Sequence, residues 1–205
     1  MILQNELERM NYEAAKKYIL TRLERELDPR LTYHSVAHTI DVLESSIRLA
    51  ELENIAGENK ILLQTACLFH DTGMLKTYKG HEEASVEISM ELLPQFGYSQ
   101  DQIDSITGMI LTTKLPQCAS LNLDKILCDA DLDYLGRADY FMIAHRLKYE
   151  WEVLNIHKTT LQEWYVIQKN FLSNHRYFTQ SANMTREGMK QENLRQVELI
   201  LNHEK

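Results

Sequence analysis

The chain has little punctuation. Only 7 glycines and 3 prolines interrupt its 205 residues, too few for the many tight turns of a sheet-rich fold, and no stretch of useful length alternates apolar with polar side chains. No apolar run is long enough to span a bilayer. The opening residues, MILQNELERM, are acidic early, where a secretory leader would be basic and then apolar. Three cysteines, Cys67, Cys118 and Cys128, form no CxxC pair and are odd in number. That argues against a disulfide framework and fits a reduced, cytoplasmic setting. Nor is there an excess of positive charge. A formal net charge of −8 speaks against a general nucleic-acid or anionic-membrane surface, while leaving room for a small phosphorylated ligand in a local basic pocket.

What is present is helical periodicity. At 44% hydrophobic and 25% charged residues, the composition is that of one ordinary globular domain over residues 1–205. A first helix, about 3–27, carries Leu3, Leu7, Met10, Ala14 and Tyr18 on one stripe that drifts to Ile19, Leu23 and Leu27. A second, about 35–53, presents Val36, Ile40, Leu43, Ile47 and Ala50. The third begins after Gly57 and is apolar nearly all round, as a buried central helix would be. A fourth covers about 81–96, and Ser99 with Gln102 forms a capping box for a fifth. "LDKILCDADLDYLG" reads as one helix with a glycine stop, followed by helices at about 138–154, 160–174 and 185–203. Thr160 and Glu163 form a second capping box, and segment 175–184 reads as an irregular surface connection. The stripe Trp151, Leu154, Leu161, Trp164, Tyr165 and Phe171 reads as core packing. His145, His157, His175 and His203 read as surface residues. The fold class is all-α.

Three places hold side chains of metal-binding type. In "LTYHSVAHTIDVL", His34 and His38 are four apart, which predicts one helical face and one turn between them. His70–Asp71 ends the most apolar helix. "DADLD" sets Asp129, Asp131 and Asp133 into a helix that must also bury Ile126, Leu127 and Leu132. Burying an unpaired charge is costly, so these groups need a partner, and one divalent cation would serve all three places.

The order His…His-Asp…Asp resembles the HD superfamily of metal-dependent phosphohydrolases. "YHSVAHTIDV" is similar to the "YHNxxHAxDV" of its cyclic-nucleotide phosphodiesterase branch, with Ser35 for Asn and Thr39 for Ala. "ACLFHDTGMLK" resembles the HD segment "aaLlHDiGK", with the lysine displaced to Lys76. "GHEEAS" resembles the "He..S" that often follows, and "DADLDYLG" the last motif. The likeness covers about residues 33–136, and helices at about 138–203 would pack on that core.

The resemblance implies that His38, His70, Asp71 and Asp131 ligate one metal, with Asp129 the competing choice for the last ligand. It places His34 as proton donor and makes Asp71 and Lys76 part of the catalytic group. His81 is implied as a substrate contact or as the holder of a second, weakly bound ion. Lys114, Arg137 and Arg146 are, with Lys76, candidates for the substrate's phosphate. Two imidazoles and two carboxylates suit Mn²⁺, Fe²⁺, Zn²⁺, Co²⁺ or Ni²⁺, with Mg²⁺ at an oxygen-rich position.

The implied function is hydrolysis of a phosphodiester or phosphomonoester bond, of a nucleotide above all, in the cytoplasm and with a homodimer allowed. Two other readings stand beside it. One is a catalytically silent HD fold that binds a nucleotide or a protein, although no ligand of the motif is missing here. The other is an iron-dependent oxygenase, against which counts the segment "ITGMILTTK" continuing without a histidine.

Overall fold

The computed structural model describes residues 10–203. Among them it contains nine α-helices, three short 3-10 turns and no strand. The all-α expectation holds. The chain divides into two compact units, the first running up to Asp28 and over His34–Asp131, the second comprising Pro29–Tyr33 and the chain from Leu132 onward.

The first unit is built from α1 (Tyr12–Glu26), α2 (Val36–Leu52), α3 (Gly57–Phe69), α4 (His81–Leu92), α5 (Gln100–Thr112) and α6 (Asn122–Asp131). Helix α3 is the central one and packs against α1, α2, α5 and α6. Its Leu62, Leu63, Thr65, Ala66, Cys67, Leu68 and Phe69 are all buried. Each buried leucine or phenylalanine contributes roughly 1.5–3 kcal/mol by leaving water, so this helix fixes the position of whatever follows its C-terminus. In α1 the buried face is Ala15, Ile19 and Leu23, while Tyr18 is exposed. The stripe expected through Ala14 and Tyr18 is therefore displaced by one residue, and its Leu3 and Leu7 lie outside the described residues. Helix α5 starts with the expected box: the Ser99 N–H donates to Gln102 Oε1 at 2.8 Å and the Gln102 N–H to Ser99 Oγ at 3.4 Å. The helix expected through Gly136 instead ends at Asp131, and Asp133–Gly136 forms a separate 3-10 turn.

The second unit contains α7 (Tyr140–Val153), α8 (Leu161–Asn174) and α9 (Gln180–His203). Tyr33, Leu135, Tyr140, Trp164, Leu172 and Val197 are buried in its core. Trp151 meets Trp164 edge to face at 5.5 Å, so much of the aromatic stripe is core, although Leu161 at the start of α8 is exposed. Thr160 and Glu163 cap α8 reciprocally as expected.

Segment 175–184 departs from the reading of a surface connection. Helix α9 already begins at Gln180, and Tyr177, Thr179 and Ala182 are buried. The Thr179 hydroxyl accepts from the Ala182 N–H at 3.1 Å at the start of that helix, and against the segment lies Lys190, whose side chain is wholly buried. Its ammonium donates to the His175 carbonyl at 2.9 Å, pairs with Glu187 at 2.8 Å and lies 5.0 Å from the centre of the Tyr177 ring. His175 is half-buried rather than exposed. So is His145, whose ring nitrogens lie 2.7 Å from the Phe141 carbonyl and 3.4 Å from the Tyr165 hydroxyl.

Candidate metal centre

The buried end of α3 delivers the first two groups. His70 follows Phe69 and is 1% exposed. Its Nδ1 lies 2.7 Å from the Cys67 carbonyl, which can only accept. Nδ1 therefore carries the proton, and in the neutral ring Nε2 is left with a bare lone pair. Asp71 comes next and begins the 3-10 turn Thr72–Leu75. Helix α2, packed on α3, contributes His38, whose Nε2 stands 3.4 Å from His70 Nε2 and 3.4 Å from Asp71 Oδ2. Asp71 Oδ2 in turn lies 3.2 Å from His70 Nε2. It is buried and accepts no hydrogen bond.

The last residue of α6 stands beside these three. Asp131 Oδ1 is 3.3 Å from His38 Nε2 and 3.7 Å from His70 Nε2. An ion about 2.1 Å from its ligands holds neighbouring donor atoms roughly 3.0 Å apart at right angles and roughly 3.4 Å apart at tetrahedral angles. The spacings here, 3.2 to 3.7 Å, are of that order. A buried carboxylate oxygen without a donor, facing two imidazole nitrogens, is costly unless a cation is shared among them. His38, His70 and Asp71 thus form a group able to hold a metal ion.

The other oxygen of Asp71 faces His81. His81 Nε2 lies 3.3 Å from Asp71 Oδ1, and its Nδ1 lies 3.0 Å from the Tyr78 carbonyl. His81 opens α4 after Gly80, whose φ of 74° suits glycine. The turn after Asp71 is locked onto that helix, because the Gly73 N–H donates to Ser85 Oγ at 2.8 Å. A Cβ at Gly73 would run into the His81 carbonyl, so only glycine allows the approach.

His34 is not on a helix. Ser35 is the N-cap of α2 and its hydroxyl accepts from the His38 N–H at 3.4 Å, so His34 precedes the first helical turn. The expected pair of histidines one turn apart on a helical face is corrected. The His34 ring nevertheless stands 6.3 Å from that of His38, 5.4 Å from His81 and 5.5 Å from Tyr78, centre to centre. Tyr78 touches two of the predicted residues and was not singled out from the sequence.

Lys76 and Lys114, the cationic candidates of the first unit, lie at its surface. Lys76 is exposed and pairs with Glu87 at 3.2 Å, because the 3-10 turn carries the chain past the cluster to the surface. Lys114 is exposed and pairs with Glu83. Arg137 and Arg146 belong to the second unit, where Arg137 grips Asp139 through two hydrogen bonds of 2.9 and 2.6 Å and the Arg146 carbonyl accepts from the Thr32 hydroxyl. Asp129 is buried on α6.

Electrostatics follow from this crowding. Burial opposes charge on His70, but the adjacent Asp71 carboxylate outweighs it and raises the imidazole pKa to about 9. His81 is likewise pushed up to about 9, burial again yielding to Asp71. Burial would raise the Asp71 carboxyl, yet the His70 charge holds it well below the usual carboxylate range. In the metal-free protein the histidine contributions to stability are full below their ordinary pKa of 6.5 and are lost as pH rises through about 9. The Asp71 contribution has the opposite sign and is lost as pH falls through its lowered pKa. Ligation needs unprotonated imidazole, so cation and proton compete. Calorimetric titration with Mn²⁺ should show proton release near pH 7 and an affinity rising up to about tenfold per pH unit per proton displaced, levelling above about pH 9. An affinity indifferent to pH over that range would contradict it.

Among the described residues no helix is long and apolar enough to cross a membrane. Residues 36–133 match the family model of the HD domain. Over 98 residues the chain is 34% identical to an uncharacterized protein of Clostridium beijerinckii, an alignment taking in 46% of this chain and 62% of that protein. The chain thus spans less than two thirds of that relative's length. No solved structure matches it. The HD-domain match takes in just under half of the chain and is consistent with the HD superfamily, whose members are usually metal-dependent phosphohydrolases.

Proposed function

We propose that this chain is a metal-dependent phosphohydrolase that cleaves a phosphodiester or phosphomonoester bond of a nucleotide, with the phosphodiester favoured. The observation that carries the reading is the orphaned Asp71 Oδ2, buried among two imidazole nitrogens and close to a second carboxylate. His38, His70, Asp71 and Asp131 would hold the ion, and the mixed nitrogen and oxygen donors suit Mn²⁺, Fe²⁺, Co²⁺, Ni²⁺ or Zn²⁺. A divalent ion so held supplies Lewis-acid activation of water and of a phosphoryl oxygen.

The chain's own residues supply the rest. His70 is turned by the Cys67 carbonyl so that Nε2 faces the cluster. Asp71 presents one oxygen to the histidine pair and the other to His81, and His81 would contact the substrate phosphate or share a second, weakly held cation. His34, close to His38 and His81 without belonging to the tight cluster, is the proton donor to the leaving oxygen, a step worth roughly 10²–10⁴ in rate. The likeness of "YHSVAHTIDV" to the phosphodiesterase branch supports the choice of a diester. Lys76 and Lys114, both paired at the surface, take no part in this proposal.

Bis(4-nitrophenyl) phosphate and 4-nitrophenyl phosphate, each with chelator, Mn²⁺ or Zn²⁺, test it. Hydrolysis that needs the metal, and is faster on the diester, supports the reading. Metal binding without hydrolysis of either substrate, or of a nucleotide panel, would leave a silent binding module instead.

A further inference from the structure

The loop between α5 and α6, residues 113–121, is tied down on both sides. At one end the Cys128 thiol donates to the Thr112 carbonyl at 3.2 Å. At the other, the Leu121 N–H donates to Asp124 Oδ2 at 3.0 Å. Between them Gln117, half-buried, reaches back to the C-terminus of α6. Its Nε2 lies 3.3 Å from the Cys128 carbonyl and 3.3 Å from Asp131 Oδ2. Both partners are pure acceptors, so the atom facing them is the amide nitrogen, and its two protons serve one acceptor each. The Cys128 carbonyl is in the last turn of α6, where carbonyls have no partner within the helix.

The consequence falls on Asp131. Its two oxygens are divided: Oδ2 accepts from Gln117, and Oδ1 faces His38 and His70 at 3.3 and 3.7 Å. The Asp131 side chain is 15% exposed and ends its helix, so without a partner it could rotate toward water. We infer that Gln117 is a positioning residue that fixes the Asp131 carboxylate so that a single oxygen is presented to the metal centre. This rests on the metal-site reading above. A neutral amide suits the task. It orients the carboxylate and stabilises its charged form while leaving the charge available to a cation, which a lysine or arginine in its place would offset.

The test is Mn²⁺ affinity by calorimetry at pH 7.5 for the wild type, Gln117→Leu, Asp131→Asn and the double variant, with thermal melting of each metal-free protein. Leucine keeps the bulk and removes both donors. Gln117→Leu should weaken Mn²⁺ binding about 10–100-fold while the metal-free protein melts within about 4 °C of the wild type, the change expected from lost hydrogen bonds of a partly exposed amide. If Gln117 acts through Asp131, the double variant should bind no more than about twofold more weakly than Asp131→Asn alone. Should the leucine variant fail to fold, Gln117→Asn keeps the amide but is one methylene too short to reach both acceptors, and it should weaken binding in the same sense. Wild-type affinity in the variants, or losses that add in the double variant, would overturn the inference while leaving the metal site standing. A wild-type protein that binds no Mn²⁺ would overturn the metal-site reading, and the inference with it.

Discussion

His70→Ala should purify with less than a tenth of the wild-type metal content and lose turnover by about 10³-fold or more. The ring is 1% exposed, its Nδ1 proton is committed to the Cys67 carbonyl and its Nε2 meets His38, Asp71 and Asp131 at 3.4, 3.2 and 3.7 Å. Alanine removes the ring nitrogen nearest Asp71 Oδ2 and leaves both carboxylates without the His70 imidazole. Lewis-acid stabilisation of a phosphoryl transition state amounts to several kcal/mol, and ~4 kcal/mol corresponds to about three powers of ten. Elemental analysis and an assay in excess Mn²⁺ separate the two effects. A variant that keeps its metal but is inactive would mean that His70 acts on the substrate and that other groups hold the ion.

His34→Ala should behave differently. It should retain the metal and a near-normal KM, yet lose about 10²–10⁴ in kcat on substrates with a poor alkoxide leaving group. The loss should shrink sharply on 4-nitrophenyl esters, because nitrophenolate departs without a proton. The motive is position. His34 precedes the Ser35 cap, and its ring centre lies 6.3 Å from that of His38, whereas His70 approaches His38 atom to atom at 3.4 Å. Loss of metal in His34→Ala would make it a ligand. Equal damage on good and poor leaving groups would assign it to holding the phosphate.

The parts of this arrangement visible in the sequence are those set by local spacing on strongly periodic helices. An apolar run ending in His-Asp states that a buried helix delivers polar groups to an interior, and α3 does so. The preference for Asp131 over Asp129 rests on the family likeness, and Asp131 Oδ1 lies 3.3 and 3.7 Å from the two histidine nitrogens. Four-residue spacing misled at His34, because a serine can cap a helix and the spacing rule applies only inside one. The cations Lys76 and Lys114 are drawn to Glu87 and Glu83, pairings that depend on which helices come to lie side by side. Gln117 and Tyr78 carry no motif, and their contacts exist only once loop and helix have folded. Lys190 inverts the usual expectation for lysine. A carbonyl, a carboxylate and an aromatic face together replace its hydration, contacts that spacing along the chain does not reveal.

The most direct test of the centre itself is an anomalous difference map, at the manganese edge, of crystals grown with Mn²⁺. One strong peak should lie about 2.0–2.3 Å from His38 Nε2, His70 Nε2, Asp71 Oδ2 and Asp131 Oδ1 together. A peak held by Asp129 in place of Asp131, or the absence of any peak among these four side chains, would contradict the account.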